Sequence, residues 1–207
     1  MKTLDQSAAW YYKGVKLGMQ GRHEEALNAF EKAIELEPDY AEAWKNKGLA
    51  LESLERYEDA LRAYQEAIRL QPDYTQAWKN RGLALDMLGR HEEALRAYQE
   101  AIRLQSDDEA AWNNKGVALY HLGRHEEALN AYDEATRLRC NYAQAWNNKG
   151  VALINLGRHE EALKACDEAI RLDYPPALQN KALALNNLGR HEEALKIFDE
   201  ARRLGYN

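Results

Sequence analysis

The sequence predicts an all-α repeat protein, a solenoid of stacked helix pairs, and three spacings carry this prediction. Glycine follows each tryptophan by four residues, and alanine follows it by sixteen. The tryptophans themselves recur every 34 residues, at Trp10, Trp44, Trp78, Trp112 and Trp146. A fixed period of about 20–50 residues is typical of repeat architectures, in which each unit buries its apolar face against its neighbours.

Numbering each repeat from position 1 to position 34 divides the chain into six repeats of a single solenoid over residues 1–207. The predicted repeats are 7–40, 41–74, 75–108, 109–142, 143–174 and 175–207. The fifth is two residues short because Pro175 and Pro176 replace a longer turn. With two helices in each repeat, we expect about twelve helices.

Each repeat contains two helical patterns, called helix A and helix B below. In the second repeat, Trp44, Gly48 and Leu51 recur at i, i+4 and i+7, which places them on one face of helix A. A Leu-Gly-Arg-His turn separates helix A from helix B in four repeats, and its glycine is a predicted C-cap. Asp39, Asp73 and Asn141 are the predicted N-caps of the A helices that follow them.

Composition and hydropathy argue against nucleic acid and membranes as partners. The net charge is −6 and the pI is about 5.6, which argues against nucleic acid as a partner. No apolar run is long enough to span a membrane, and residues 1–6 are too short and polar for a signal peptide. We therefore expect no membrane association and a cytoplasmic location.

No pattern predicts catalysis, a cofactor or a metal. Phosphate loops, nucleophile elbows and dinucleotide fingerprints are missing from the sequence. Five histidines share position 17, but equivalent residues of neighbouring repeats are separated by a helix-pair width, too far to share one metal ion. Cys140 and Cys166 belong to no paired motif and are predicted to be buried or half-buried inert thiols.

The repeat pattern resembles the tetratricopeptide repeat: tryptophan at position 4, glycine at 8, alanine at 20, an aromatic at 24, alanine at 27 and proline at 32. Position 7, usually leucine in that family, is lysine or arginine throughout, and the sixth repeat has Leu178 and Ala182 for tryptophan and glycine. The resemblance implies antiparallel helix pairs in a right-handed superhelix. It also implies a non-catalytic scaffold that binds a protein or peptide on a concave surface lined by the A helices.

The candidate binding residues are those that would face this concave surface. Position 6 reads Asn46, Asn80, Asn114, Asn148 and Asn180, with Tyr12 in the first repeat. An asparagine amide both donates and accepts, so a row of them fits the backbone of an extended peptide. Two interpretations stay open: an asparagine ladder that holds a peptide, and asparagines that bond to their own neighbours.

Position 5 carries Lys45 and Lys79 in the early repeats and Asn113 and Asn147 in the later ones. The lysines favour an acidic ligand segment by charge complementarity, or are simply solvated. The carboxylate clamp of chaperone-binding family members is matched by Lys45 and Asn80 alone among its five positions. Positions 12 and 13 vary between repeats and are predicted to select the side chains of a partner.

Two other functions remain as alternatives. The sixth repeat is not followed by a polar closing helix, so Ile197, Leu204 and Tyr206 could pack on other copies and form a homo-oligomer. Single-stranded RNA binding is the other alternative, with Tyr11, Tyr12 and Tyr120 stacking on bases.

Overall fold

A computed structural model of the protein describes residues 2–206, and the side chains of residues 6–206. The described chain contains twelve α-helices and no strand, which confirms the all-α prediction. It divides into two compact units, with the boundary between residues 106 and 107. Unit 1 contains α1 (Lys2–Met19), α2 (His23–Leu36), α3 (Ala41–Ser53), α4 (Tyr57–Leu70), α5 (Thr75–Met87) and α6 (His91–Leu104).

Unit 2 has the same plan of successive helix pairs. It contains α7 (Glu109–His121), α8 (His125–Leu138), α9 (Ala143–Asn155), α10 (His159–Arg171), α11 (Ala177–Asn187) and α12 (His191–Arg203). Within each unit, every helix packs against the next one in the chain. The odd-numbered helices are the A helices and the even-numbered ones the B helices; their partition into six repeats of one solenoid stays a prediction.

A glycine–aromatic contact brings the two helices of a repeat close together. The ring of Tyr132 lies directly over Gly116, where an added Cβ would stand 2.5 Å from a ring carbon. The same contact joins Gly14 to Phe30, and Gly48 to Tyr64. Because no side chain fits in this space, the glycine at position 8 permits the buried aromatic at position 24.

Tryptophans attach α3, α5 and α9 to the turns before them. The indole N–H of Trp44 donates to the carbonyl oxygen of Pro38 over 2.9 Å, and Trp146 donates to that of Cys140 over 2.8 Å. Their rings are half-buried rather than enclosed, and a position-7 cation covers them, as Lys149 does at 4.9 Å from the Trp146 ring centroid. Cation–π contact thus explains why a cation can replace the family's leucine at position 7.

The predicted cysteine environment is confirmed for Cys166 and wrong for Cys140. Cys166 is buried, and burial raises the pKa of its thiol to about 12. Cys140 is exposed, because its place in the turn before α9 requires its backbone carbonyl rather than its side chain.

The predicted N-caps at Asp39, Asp73 and Asn141 are also wrong. The N-cap residues are Tyr40, Tyr74 and Tyr142, and none of them makes a side-chain capping bond. Packing sets the register instead, since the Tyr40 ring lies 4.9 Å from that of Tyr11. Asp108 occupies the equivalent position, and its Oδ1 accepts a bond from the Ala111 N–H over 2.9 Å.

Candidate functional site

Large apolar side chains are exposed along the A helices of unit 1. Met19 is 86% exposed, Tyr12 68% and Met87 62%, with Leu49 and Leu83 less so. Tyr12 occupies position 6, Leu49 and Leu83 occupy position 9, and Met19 and Met87 occupy position 13. We call these side chains, together with the position-5 and position-6 residues between them, the A-helix face of unit 1. Its apolar character is typical of a surface that contacts another molecule.

A groove of about 520 Å³ lies in this face between α1 and α3. It is bordered by both helices and by residues of α2, and its lining includes Tyr11, Val15, Gly18, Met19, Lys45 and Leu49. Ligand sites in proteins commonly span about 300–1,000 Å³, so the groove is large enough for a side chain or two of a bound chain. We call it the α1–α3 groove.

Two asparagines of unit 1 use their amides differently. Asn46 donates from Nδ2 to the hydroxyl oxygen of Tyr11, at position 5 of the preceding repeat, over 2.9 Å. The Asn80 Oδ1 accepts from Gln76 over 2.9 Å, whereas its Nδ2 is buried with no hydrogen-bond partner among the described residues. The preceding position 5 is Lys45, an ammonium that offers no acceptor.

Lys45 is a half-buried cation in the lining of the α1–α3 groove. Desolvation by burial lowers the pKa of its ammonium below the usual value, and the charge of Glu42 opposes this shift. No carboxylate in the described chain forms an ion pair with it. A half-buried charge without a partner is costly, so an incoming anion would be well placed here.

In unit 2 the position-6 asparagines bond to their neighbours. Asn148 donates to the Oδ1 of Asn113 over 3.0 Å, and Asn180 donates to that of Asn147 over 2.8 Å. Both acceptors, at position 5, are buried, and Asn113 also donates to the Oδ1 of Asn114 over 3.3 Å. Bonds between neighbouring asparagines, one of the two interpretations of this row, are therefore present. They leave the second interpretation, peptide binding, as a proposal.

Position 12 has a role that the sequence analysis missed. The Tyr64 hydroxyl donates to Glu52 over 2.7 Å, and that of Tyr98 donates to Asp86 over 2.9 Å. The two carboxylates therefore serve the buried tyrosines of helix B, and burial raises the pKa of Glu52. A pairing of acid at position 12 with tyrosine at position 24 was visible in repeats 2 and 3.

The histidines of position 17 stand at the start of the B helices. His91 contacts the Oδ1 of Asp86 through its Nδ1 over 2.9 Å, so it belongs to the network around Tyr98. Over residues 2–206, no three His, Cys, Asp or Glu side chains come together as metal ligands would. Nor does any described helix have the length and apolarity needed to cross a lipid bilayer.

The paired helices, the glycine–aromatic contacts and the apolar A-helix face together define a helical-repeat interaction scaffold. Sequence profiles described as tetratricopeptide repeat match residues 16–72, 53–109, 81–141, 143–173 and 175–204. The chain belongs to the tetratricopeptide repeat family.

Solved structures share this fold. YrrB, described as a tetratricopeptide repeat protein with an unusual peptide-binding site, is 27% identical, with a TM-score of 0.69 over 86% of this chain and 89% of YrrB. PilF of Pseudomonas aeruginosa is 18% identical, with a TM-score of 0.84 over 99% and 94%. MamA of Desulfovibrio magneticus is 20% identical, with a TM-score of 0.77 over 82% and 96%. Comparison with curated proteins gives no match.

Proposed function

We propose that the protein is a non-catalytic interaction module that binds an extended segment of another protein on its A-helix faces. One observation carries the proposal: among the described residues, neither Asn80 Nδ2 nor the Lys45 ammonium has an acceptor, and the two stand at positions 6 and 5 of consecutive repeats. At the equivalent positions, Asn46 and Tyr11 form a donor–acceptor pair. A ligand carbonyl or carboxylate would supply the hydrogen-bond acceptor that Asn80 Nδ2 and the Lys45 ammonium lack.

Each asparagine would then have a defined task. In unit 1, Asn80 donates to a backbone carbonyl of the segment, while Asn46, whose Nδ2 is engaged, offers Oδ1 to a backbone N–H. In unit 2, Asn148 and Asn180 offer Oδ1 in the same way, with Asn114 beside them. The Oδ1 atoms of Asn113 and Asn147 already accept from Asn148 and Asn180, so these two residues orient the neighbouring amides rather than touch the ligand.

Charge and ring surface complete the proposed site. Lys45 and Lys79 give position 5 of unit 1 a positive charge, which favours an acidic segment over a basic one. The exposed Tyr12 ring adds contact area at the first repeat. One of the three similar structures supports the proposal: YrrB has a peptide-binding site by description, whereas PilF and MamA support the fold alone.

The test is selection of binding peptides followed by titration of single variants. A phage-displayed library of random peptides is selected on the immobilised protein, and an enriched peptide is synthesised with a fluorophore for anisotropy. A net hydrogen bond is worth about 0.5–1.5 kcal/mol, so Asn80→Ala should weaken binding about 2- to 13-fold. Asn28→Ala is the matched control, because Asn28 is exposed on α2, in the groove beside Trp10.

Two results would count against the proposal. Failure to enrich any peptide over a control protein would overturn peptide binding itself. An enriched peptide that binds Asn80→Ala and the wild type equally well would refute the proposed hydrogen bond from Asn80 to the peptide.

Self-association is a second candidate, favoured by exposed apolar side chains on α12 and just after it. Leu195 is 64% exposed and Leu204 is 56% exposed, and Phe198 lies between them in sequence. Sedimentation velocity over a wide range of protein concentration would detect association, and Leu195→Glu should abolish it. A sedimentation coefficient that does not change with concentration would dismiss this candidate.

A further inference from the structure

Gly18 lies in the lining of the α1–α3 groove and adds no side chain to it. Gly18 stands at position 12 of the first repeat, and the other repeats fill that position with Glu52, Asp86, Tyr120, Ile154 and Asn186. A Cβ added to Gly18 would meet nothing closer than the Ala26 Cβ at 3.9 Å, an ordinary van der Waals distance. Helix packing therefore does not require glycine here, in contrast to the glycines of position 8.

The repeat framework also explains why this position can be empty. Position 24 of the first repeat is Phe30, which has no hydroxyl to pair with an acid at position 12, as Tyr64 pairs with Glu52. Glycine within a helix costs about 1 kcal/mol relative to alanine. The missing side chain brings no packing benefit within the described chain, but it leaves open the space beside Val15 and Leu49.

The lining of the groove has two chemical parts. Val15, Phe30, Leu49 and the Met19 thioether provide apolar surface, and the flexible methionine adapts to side chains of different shape. Lys45 is a charged side chain in the same lining and has no ion-pair partner in the described chain. An apolar ligand alone would leave this charge unpaired, and a basic ligand would be repelled by it.

We propose that the α1–α3 groove receives a bulky apolar side chain of a bound protein segment, and that a carboxylate in the same short stretch of that segment pairs with Lys45. The partner would therefore present an aromatic or large aliphatic residue close to an aspartate or glutamate. This inference rests on the proposed function and specifies the chemistry of its ligand.

Gly18 offers a direct test, because filling the groove need not harm the fold. Gly18→Ile places in repeat 1 the side chain that the chain carries at Ile154, and Gly18→Ala adds a single methyl group. Alanine and isoleucine both favour helix over glycine, so neither variant should melt below the wild type. Circular dichroism melting curves provide this check before any binding measurement.

The experiment selects random phage-displayed peptides on the wild type, on Gly18→Ile and on Lys45→Gln. Peptides enriched on the wild type should share an apolar residue next to an acidic one. Gly18→Ile should bind such a synthetic peptide about tenfold or more weakly, because the buried side chain loses its place. Gly18→Ala should bind it almost as tightly as the wild type. Lys45→Gln should weaken it about 2- to 10-fold and remove the preference for acidic residues.

Other outcomes would overturn the inference. Peptides that bind the wild type and Gly18→Ile equally well, yet lose affinity with Asn80→Ala, would place the ligand elsewhere on the A-helix face and leave the proposed function standing. Enriched peptides without the apolar–acidic motif would exclude the proposed chemistry. If the wild type self-associates and Gly18→Ile does not, the occupant of the groove would be a second copy of this chain. If no peptide is enriched on the wild type or on either variant, both the proposed role of the groove and the proposed function would be refuted.

Discussion

Asn148 donates a hydrogen bond from its Nδ2 to the Oδ1 of Asn113, a buried residue 35 positions earlier in the chain. Asn180 bonds to Asn147 in the same way, and in unit 1 the Tyr11 hydroxyl serves as the acceptor for Asn46. The bond thus joins position 6 of one repeat to position 5 of the one before it. Such a bond favours one register of neighbouring A helices, because it forms only when position 6 of one repeat lies within hydrogen-bond distance of position 5 of the repeat before it.

The same substitution at two equivalent positions should change stability in opposite directions. Asn148→Ala removes the bond and leaves the buried Asn113 oxygen unpaired, so the free energy of unfolding should fall by about 1–2 kcal/mol. Asn80→Ala removes a buried Nδ2 that has no partner among the described residues, and it introduces a better helix former. The free energy of unfolding of this variant should therefore rise by about 0.5–1 kcal/mol. Urea unfolding followed by circular dichroism measures both changes, and a shift of the same sign in the two variants would refute the assignment.

Glu55 should be replaceable by glycine with a gain in stability. Its φ of 59° lies in the left-handed region, and it stands where other turns carry glycine, such as Gly89 with φ 71°. A side chain in this region costs about 1–2 kcal/mol, so Glu55→Gly should stabilise the protein by about 1 kcal/mol. The control, Gly89→Ala, should lower stability by a similar amount. Thermal melts of the two variants check the pair, and a lower melting temperature for Glu55→Gly would contradict this explanation.

Alanine at position 8 should be harmful in proportion to the ring opposite it. Gly82 lies under the rigid ring of Tyr98, and a Cβ there would overlap the ring carbons. Gly82→Ala should therefore cost about 1–3 kcal/mol despite the better helix propensity of alanine. Gly150 faces the smaller Cys166, whose Sγ would be 2.8 Å from the new Cβ and can rotate away, so Gly150→Ala should cost less. Denaturant midpoints compare the two, and equal losses would mean that the ring does not set the cost.

Stability should decrease at alkaline pH because of the buried tyrosines. Burial raises the pKa of Tyr64 and Tyr98 well above the ordinary value, with the charges of Glu52 and Asp86 adding to the shift. The two protonated tyrosines contribute their full stabilisation below about pH 10, the pKa of tyrosine in the unfolded chain. Above that pH the unfolded state releases protons that the folded state retains, so stability falls as pH rises.

The measurement is the melting temperature as a function of pH from about 8 to 11, for the wild type and Tyr98→Phe. The variant has one buried hydroxyl fewer, so its melting temperature should fall less steeply. Tyr12→Phe removes an exposed tyrosine and should keep the slope of the wild type. A Tyr98→Phe slope equal to that of the wild type would show that another group controls the alkaline transition.

Much of the fold could be predicted because its determinants are close together in the sequence. The 34-residue period, the helical recurrence of Trp44, Gly48 and Leu51, and the turn glycines are local patterns that specify helix pairs. The N-cap predictions were wrong for the opposite reason. Asp39 suited the local capping pattern, but packing of Tyr40 against Tyr11, about 30 residues earlier in the chain, decided where α3 begins.

The candidate site was predictable as a set of positions but not as a set of interactions. The sequence alone determined that this chain is a helical repeat protein and that asparagine and lysine recur at positions 5 and 6 of its A helices. Tertiary structure alone decided that Asn148 and Asn180 have acceptors in the preceding repeat, that Asn80 Nδ2 has none there, and that Gly18 and Lys45 line one groove. A hydrogen bond depends on distance and angle, and a groove on volume left unfilled, and neither is set until helices distant in sequence have packed.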